Sequence, residues 1–232
     1  MPIHDQALPY FMDLQNRMID IFPFVSCHET NFGTYSIKIE SLFVDACSFF
    51  DSLCQTYICE QHKKGYVFKD QDKVKKFAGK LASGGNPKGT RKKDEFFNAG
   101  DYRFLFEGSF RLSDKEVGVN NYDGQLVLNA VQLPPEKTDS YVILPFHDWA
   151  AGHNTDWWEA YTRLKHNRLA NHREATLKNL IYAMAGTYII ITLREVDVFR
   201  SGGTRELYGS FLPWYWGVGG GDFAASVEKL EV

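Results

Sequence analysis

Near the start of the chain, apolar residues recur every three or four positions: Leu8, Phe11, Leu14, Met18 and Ile21 or Phe22. That period predicts an amphipathic helix over 7–22, closed by Pro23, whose ring cannot continue a helix. From Thr34 to about Gln61, Tyr35, Ile39, Leu42, Phe43, Ala46, Phe50, Leu53 and Tyr57 keep the same spacing with no internal Gly or Pro. A long buried helix is expected there, with Thr34 or Asn31 as its cap. A shorter Lys-rich helix is expected over 70–82, ended by Gly84 and Gly85 before the loop SGGNPKGTRKK. Asp94 then opens a fourth candidate helix through Phe104.

The period changes in the middle of the chain. Between Gly108 and Leu144 there are short β-like runs, Glu116 to Val119, Gln125 to Leu133 and Tyr141 to Leu144, punctuated by Asn120, Asn121, Asp123, Gly124 and the Pro134-Pro135 pair. This reads as a β-hairpin or small meander inserted between helices. Helical spacing resumes at Asp156 and continues, with room for one break, to about Arg194. The last 38 residues are rich in Gly and aromatics, including Ser201-Gly202-Gly203, Trp214-Tyr215-Trp216 and Gly219-Gly220-Gly221. The expected architecture is mainly α: a helical domain over 1–194 with a β insertion at about 108–144, and an irregular appendage over 195–232 packed on it.

Composition narrows the class. A chain of 232 residues with 44% hydrophobic and 15% aromatic residues has ample material for a core and does not fit a disordered class. The longest strongly apolar run, Ile181 to Leu193, covers about 13 residues, short of the roughly 20 that span a bilayer. The first residues lack a basic start followed by an apolar stretch, so no signal peptide is expected. Cys47, Cys54 and Cys59 share one helical stretch at spacings of seven and five, which suits small core residues rather than a CxxC clamp. A cytoplasmic protein without a membrane anchor follows as the expectation.

The net charge of −3 conceals an asymmetry. Residues 62–93 carry eleven Lys and Arg against two acids, a net +9, so the remainder stands at −12. A compact basic segment on an acidic chain is the footprint of phosphate-backbone contact, with Lys75, Lys76, Lys80, Lys88, Arg91, Lys92 and Lys93 as the candidate nucleic-acid contacts. A solvated surface face is the competing explanation.

The densest chemistry lies between Asp156 and Arg173. On one helix Trp158, Tyr161, Lys165, Arg168 and His172 step by three, four, three and four and form a stripe, while Arg163, His166 and Arg173 form a second. His166 and Arg168 stand about 200° apart on a continuous helix and can share a site only where that helix breaks. Imidazole beside ammonium and guanidinium suits RNA cleavage by the strand's own 2′-hydroxyl: the imidazole moves a proton and the cations stabilise charge on the phosphoryl oxygens. The plainer alternative is that Trp and Tyr anchor the helix, while Arg and Lys pair with acids such as Glu159.

The string WWEAYTRLKHNR over 157–168 resembles the signature of an HEPN-like (Abi-like) family of bacterial helical proteins, Trp-aromatic-x-Ala-Tyr-Asn-x-x-Lys-His-x-Arg. The Ala-rich stretch from Ala175 to Gly186, the upstream Asn31, Thr34-Tyr35-Ser36 and Ala46-Cys47, the Asp101-Tyr102 pair and LPFHDW at 144–149 resemble other parts of the family pattern. The resemblance implies an HEPN-type helical bundle, often a homodimer, from a superfamily rich in metal-independent endoribonucleases of toxin–antitoxin and phage-defence systems. It implies RNA as substrate, a cognate antitoxin or defence-system protein as partner, and no cofactor. It equally admits a non-catalytic interaction or nucleotide-binding module. Tyr161, Lys165, His166 and Arg168 carry over as candidate catalytic residues. His172 is the alternative histidine, although Arg168 and His172 enclose only three residues and Thr162 replaces the family Asn.

Other chemistries have weaker footing. His147, Asp148, His153, His166 and His172 include no HExxH-type spacing, so no metal site is expected. The run from Gly217 to Asp222 lacks the Lys-Ser/Thr of a phosphate loop, and Trp214 to Trp216 fits a core or contact cluster better than a base-stacking platform.

Overall fold

A computed structural model describes residues 7–25, 29–82, 97–122, 138–200 and 216–219, and the chain in these segments is mainly α-helical. Helix α1 spans Ala7–Ile19, α2 Ile37–Lys63, α3 Gln71–Ala82 and α4 Ala99–Phe110. After strands β1 (Glu116–Tyr122) and β2 (Thr138–Ile143) come α5 (Asp156–His166), the single turn α6 (Arg168–Asn171), α7 (Leu177–Arg200) and strand β3 (Trp216–Gly219). None of the described helices is long and apolar enough to cross a membrane.

Helices α2 and α7 form the spine of the bundle, with α1 and α5 laid against them and α3 on the far end of α2. The buried face of α2 carries Ile39, Leu42, Phe43, Ala46, Phe50, Leu53 and Tyr57, as the spacing predicts. Its cap differs from expectation. Ser36, not Thr34 or Asn31, accepts the Ile39 N–H at 3.2 Å. The Thr34 carbonyl instead accepts from the Leu177 N–H at 2.8 Å, the Phe32 carbonyl from Lys178 at 3.1 Å, and Tyr35 forms a bridge with Thr176. Residues 32–35 are thus tied to the start of α7, and the helix begins only beyond them. The far end of α2 closes in a Schellman arrangement: Gly65 takes φ +87°, the Tyr66 N–H reaches the Gln61 carbonyl at 2.9 Å, and the Gly65 N–H reaches His62 at 3.0 Å.

The first helix stops at Ile19, short of the expected Phe22, and turns carry the chain through Val25 with Ile21 still buried. Helix α4 starts later and ends later than the sequence suggests. Asn98 and Asp101 form a reciprocal capping box, with the Asp101 N–H on Asn98 Oδ1 at 3.2 Å and the Asn98 N–H on Asp101 Oδ2 at 2.8 Å. The helix then continues through Gly108, assigned above to the β region, because Leu105, Phe106 and Phe110 all face the core. Arg111 ends it in the left-handed conformation at φ +50°.

Strand β1 pairs antiparallel with β2, from Val117 opposite Ile143 to Tyr122 opposite Thr138, and antiparallel with β3, from Glu116 opposite Gly219 to Val119 opposite Trp216. The sheet order is β2-β1-β3. The run Gln125 to Leu133, Asp94, and most of the C-terminal stretch beyond Arg200 lie outside the described residues. Helix α7 itself passes the expected end at Arg194 and reaches Arg200.

An aromatic hub joins these elements. Phe50 of α2 is 1% exposed and meets Trp157 at 5.1 Å, Trp158 at 5.3 Å, Phe146 at 5.9 Å and Tyr102 at 6.4 Å between ring centroids. Gly186 of α7 faces the same hub. A Cβ there would stand 3.0 Å from Phe146 Cζ and 3.2 Å from Trp157 Cζ2, both on fully buried rings, so any side chain at this position has to push those rings back by a few tenths of an ångström.

The candidate site at the end of α5

Helix α5 buries Trp157, Ala160, Tyr161 and Leu164, one face at steps of three, one and three. Trp157 rather than Trp158 is the deep anchor, and its indole N–H donates to the Pro145 carbonyl at 2.9 Å. The helix ends at Asn167, whose φ of −150° and ψ of 83° are not helical. Asn167 then caps α6 by accepting the Ala170 N–H at 3.3 Å, while the Asn171 amide donates to the carbonyls of Arg163 at 2.9 Å and Asn167 at 3.0 Å. A break therefore falls between His166 and Arg168, where the 200° argument requires one for the two to meet.

The break does not bring them together. His166, Lys165 and Tyr161 line an open cleft of about 510 Å³ between α5, α2 and the first turn of α4, together with Asp51, Asn98 and Trp158. Arg168 is absent from that lining. It extends away from the cleft and its Nε ion-pairs with the carboxylate of Glu40, a residue 8% exposed on α2. His172 is also elsewhere: its Nδ1 lies 3.1 Å from the Leu169 carbonyl oxygen and its ring meets the Tyr35 ring edge-on at 5.8 Å. The Arg173 guanidinium stands 5.8 Å from the same Tyr35 ring. The predicted five-residue stripe is corrected to Trp158, Tyr161 and Lys165, since one non-helical residue resets the phase for Arg168 and His172.

Within the cleft the groups have defined environments. The Tyr161 hydroxyl shares a 3.1 Å hydrogen bond with Ser48 Oγ of α2. Burial holds its phenol above the ordinary tyrosine range, opposed by the Ser48 bond, with Cys47 and Asp51 adding to the rise, so the phenol keeps its proton at neutral pH. Lys165 Nζ sits 5.8 Å from the Tyr161 ring centre and makes no ion pair among the described residues. Arg163 is engaged, with Nε on Glu174 at 2.5 Å and Nη1 on Glu159 at 3.5 Å.

Asp51, on the α2 side, was not anticipated. Its Oδ1 accepts the Tyr102 hydroxyl at 2.5 Å and its Oδ2 the Gln55 amide at 3.0 Å. Burial and then the Asp51 charge push the Tyr102 phenol well up, so it remains a donor that orients the carboxylate. The signal was available as a lone acid next to Phe50 with an amide one turn on at Gln55.

Among the described residues the basic segment reaches the edge of this site at Lys73. Lys73 ion-pairs with Asp101 of the α4 capping box, beside the Asn98 rim, and stands 5.8 Å from the Phe97 ring. Val74, Phe77 and Ala78 are the buried face of α3, which leaves Lys75 and Lys76 exposed. Lys88, Arg91, Lys92 and Lys93 lie outside the described residues, as does the side chain of Lys80. Among the described residues no three His, Cys, Asp or Glu side chains are grouped to hold a metal ion.

Among the described residues, fold and site together define a mainly helical bundle in which the cleft at the end of α5 carries a histidine, a lysine and a phenol. Comparison with protein-family models, with curated proteins and with solved structures gives no match for this chain.

Proposed function

We propose that this chain is an HEPN-like RNA-acting protein whose cleft at the end of α5 is the centre of a metal-independent endoribonuclease. The observation that carries this reading is the joint placement of His166, Lys165 and Tyr161 on one open cleft, with Lys165 not committed to an acid among the described residues. In this reading His166 takes the proton of a 2′-hydroxyl, and the oxygen attacks the adjacent phosphorus. The 5′-oxygen leaves with the proton of the Tyr161 phenol, while Lys165 stabilises the charge on the phosphoryl oxygens. Exposed Lys75 and Lys76, adjoining the cleft through Lys73 and Asp101, supply backbone-phosphate contact. A defence or toxin role, a second copy of the chain and a cognate antitoxin belong to the same proposal.

The test is incubation of purified protein with mixed single-stranded RNA in EDTA. Wild type is expected to release fragments ending in 2′,3′-cyclic phosphate. His166→Ala should slow release by about 10²–10⁴-fold, the usual worth of a general acid–base group. Arg168→Ala should leave the rate per folded molecule within a few-fold of wild type. Equal or absent cleavage by all three proteins removes the nuclease reading.

A second reading has its own support. Arg168 on Glu40 ties α6 to the start of α2, and His172, just after α6, packs edge-on against Tyr35, just before α2, which is a structural role for the end of the Lys-His-x-Arg stretch. Absent cleavage together with a loss of stability in Arg168→Ala would favour it.

A further inference from the structure

A second cleft, of about 370 Å³, opens where the first turn of α5 meets α7 and the 143–148 segment, and it shares no lining residue with the first. Its apolar side is formed by Ile143, Pro145 and Trp157. Its polar side is unusual for what it leaves unmade. Thr155 stands at the N-cap of α5, where a threonine hydroxyl ordinarily accepts an N–H of the first turn. Here it caps nothing: Thr155 is 2% exposed and its Oγ1 has no hydrogen-bond partner among the described residues. Buried polar groups are normally satisfied, so a hydroxyl that lines a cleft and is orphaned among the described residues is placed to receive an entering group.

The charges around it are equally unpaired. Asp148 and Asp156 both line the cleft with Lys178, yet among the described residues neither carboxylate makes an ion pair or a side-chain hydrogen bond. Lys178 lies instead with its Nζ 5.5 Å from the Tyr182 ring centre. Burial, and then Asp148, Glu29 and Asp156, push the Tyr182 phenol up, so three carboxylates act on one protonated hydroxyl that also lacks a partner among the described residues. Two carboxylates against one lysine leave the lining negative. An anion entering here would meet both acids, whereas a cation would meet them, the Thr155 hydroxyl and an apolar wall.

We propose that this cleft binds an alkylammonium group, its charged head taken by Asp148, Asp156 and the Thr155 hydroxyl and its alkyl stem laid against Ile143, Pro145 and Trp157. A free alkylamine and a lysine side chain present the same chemistry. The site is independent of RNA cleavage and stands or falls separately from it.

The experiment is calorimetric titration of the full chain at neutral pH with n-butylamine, n-butanol, butyrate and a short lysine-containing peptide, on wild type, Thr155→Val and Asp148→Asn. The amine should bind saturably, with butanol and butyrate at least tenfold weaker. Tighter binding of the peptide than of butylamine would identify a lysine side chain as the natural occupant, and the reverse a free amine. Both variants should weaken the amine at least tenfold. Thr155→Val, which removes a hydroxyl that caps nothing, should melt at or above the wild-type temperature in the absence of amine, which separates lost binding from lost folding. Absent saturation by the amine, equal binding of butanol or butyrate, or unchanged affinity in both variants overturns the proposal.

Discussion

Phe50→Ala should lower the stability of this protein by about 3–5 kcal/mol, the cost of removing a fully buried phenyl ring whose surroundings cannot collapse into the space. The surroundings are four other aromatic rings, from α4, α5 and the segment before α5, and each is held by further contacts of its own. Tyr102 is bonded to Asp51 and Trp157 to Pro145, so neither can swing into the vacancy without breaking a hydrogen bond. Chemical denaturation should show the midpoint falling with an unchanged slope. Phe49→Ala, one position earlier and only half-buried against Tyr10, is the matched control and should cost clearly less. A loss below about 1 kcal/mol at Phe50 would show that the hub repacks freely.

The second large effect is expected where α2 meets α7. Arg194 is 4% exposed and forks onto Glu60, with Nε to Oε2 at 3.1 Å and Nη2 to Oε1 at 3.2 Å. Among the described residues its remaining Nη1 is buried without a hydrogen-bond partner and Glu60 is the carboxylate that balances the guanidinium charge. Glu60→Gln leaves a buried cation facing a neutral amide and should cost about 3–5 kcal/mol. Adding Arg194→Met to the same chain removes the stranded charge and should restore most of the loss, since an apolar residue of similar volume suits a site between two packed helices. Thermal and denaturant unfolding of the two variants measure both numbers. Equal instability of the single and double variants would mean that packing, not charge, governs this contact.

Long helices were legible in the sequence because burial repeats with their period. The expected apolar positions from Ile39 to Tyr57 lie on the inner face of α2, whereas Tyr35 precedes the helix and is exposed, and α3 and α5 begin within a residue of expectation. Boundaries were less legible where local chemistry competes. Asp94 resembles a helix opener, but the capping box belongs to Asn98 and Asp101, an Asn-x-x-Asp version of a signature usually sought as Ser or Thr with Glu. Thr34 resembles a cap, but its carbonyl is claimed by Leu177, a pairing across more than a hundred residues that no local pattern contains.

The site divides along the same line. Tyr161, Lys165 and His166 share a cleft because they follow one uninterrupted helical phase. Arg168 and His172 do not, because the single residue Asn167 resets that phase, and the partner that then captures Arg168, Glu40, is 128 positions away. Asp51 carries no signal in the apolar periodicity of α2, since an isolated acid beside Phe50 resembles a solvated interruption until Tyr102 is folded against it.

The long helix α2 also carries Cys47, Cys54 and Cys59, all buried and none in a disulfide. Burial pushes the first two thiols well up and the third to about 11, where Lys63 tempers the rise. The reactive form of cysteine is the thiolate, and at neutral pH these sulfurs offer almost none of it while the helix is seated. A thiol reagent therefore reaches them only in moments when α2 parts from the core. Their labelling rate is a built-in clock for that opening, spread over the middle and the end of the bundle's longest helix and needing no introduced probe.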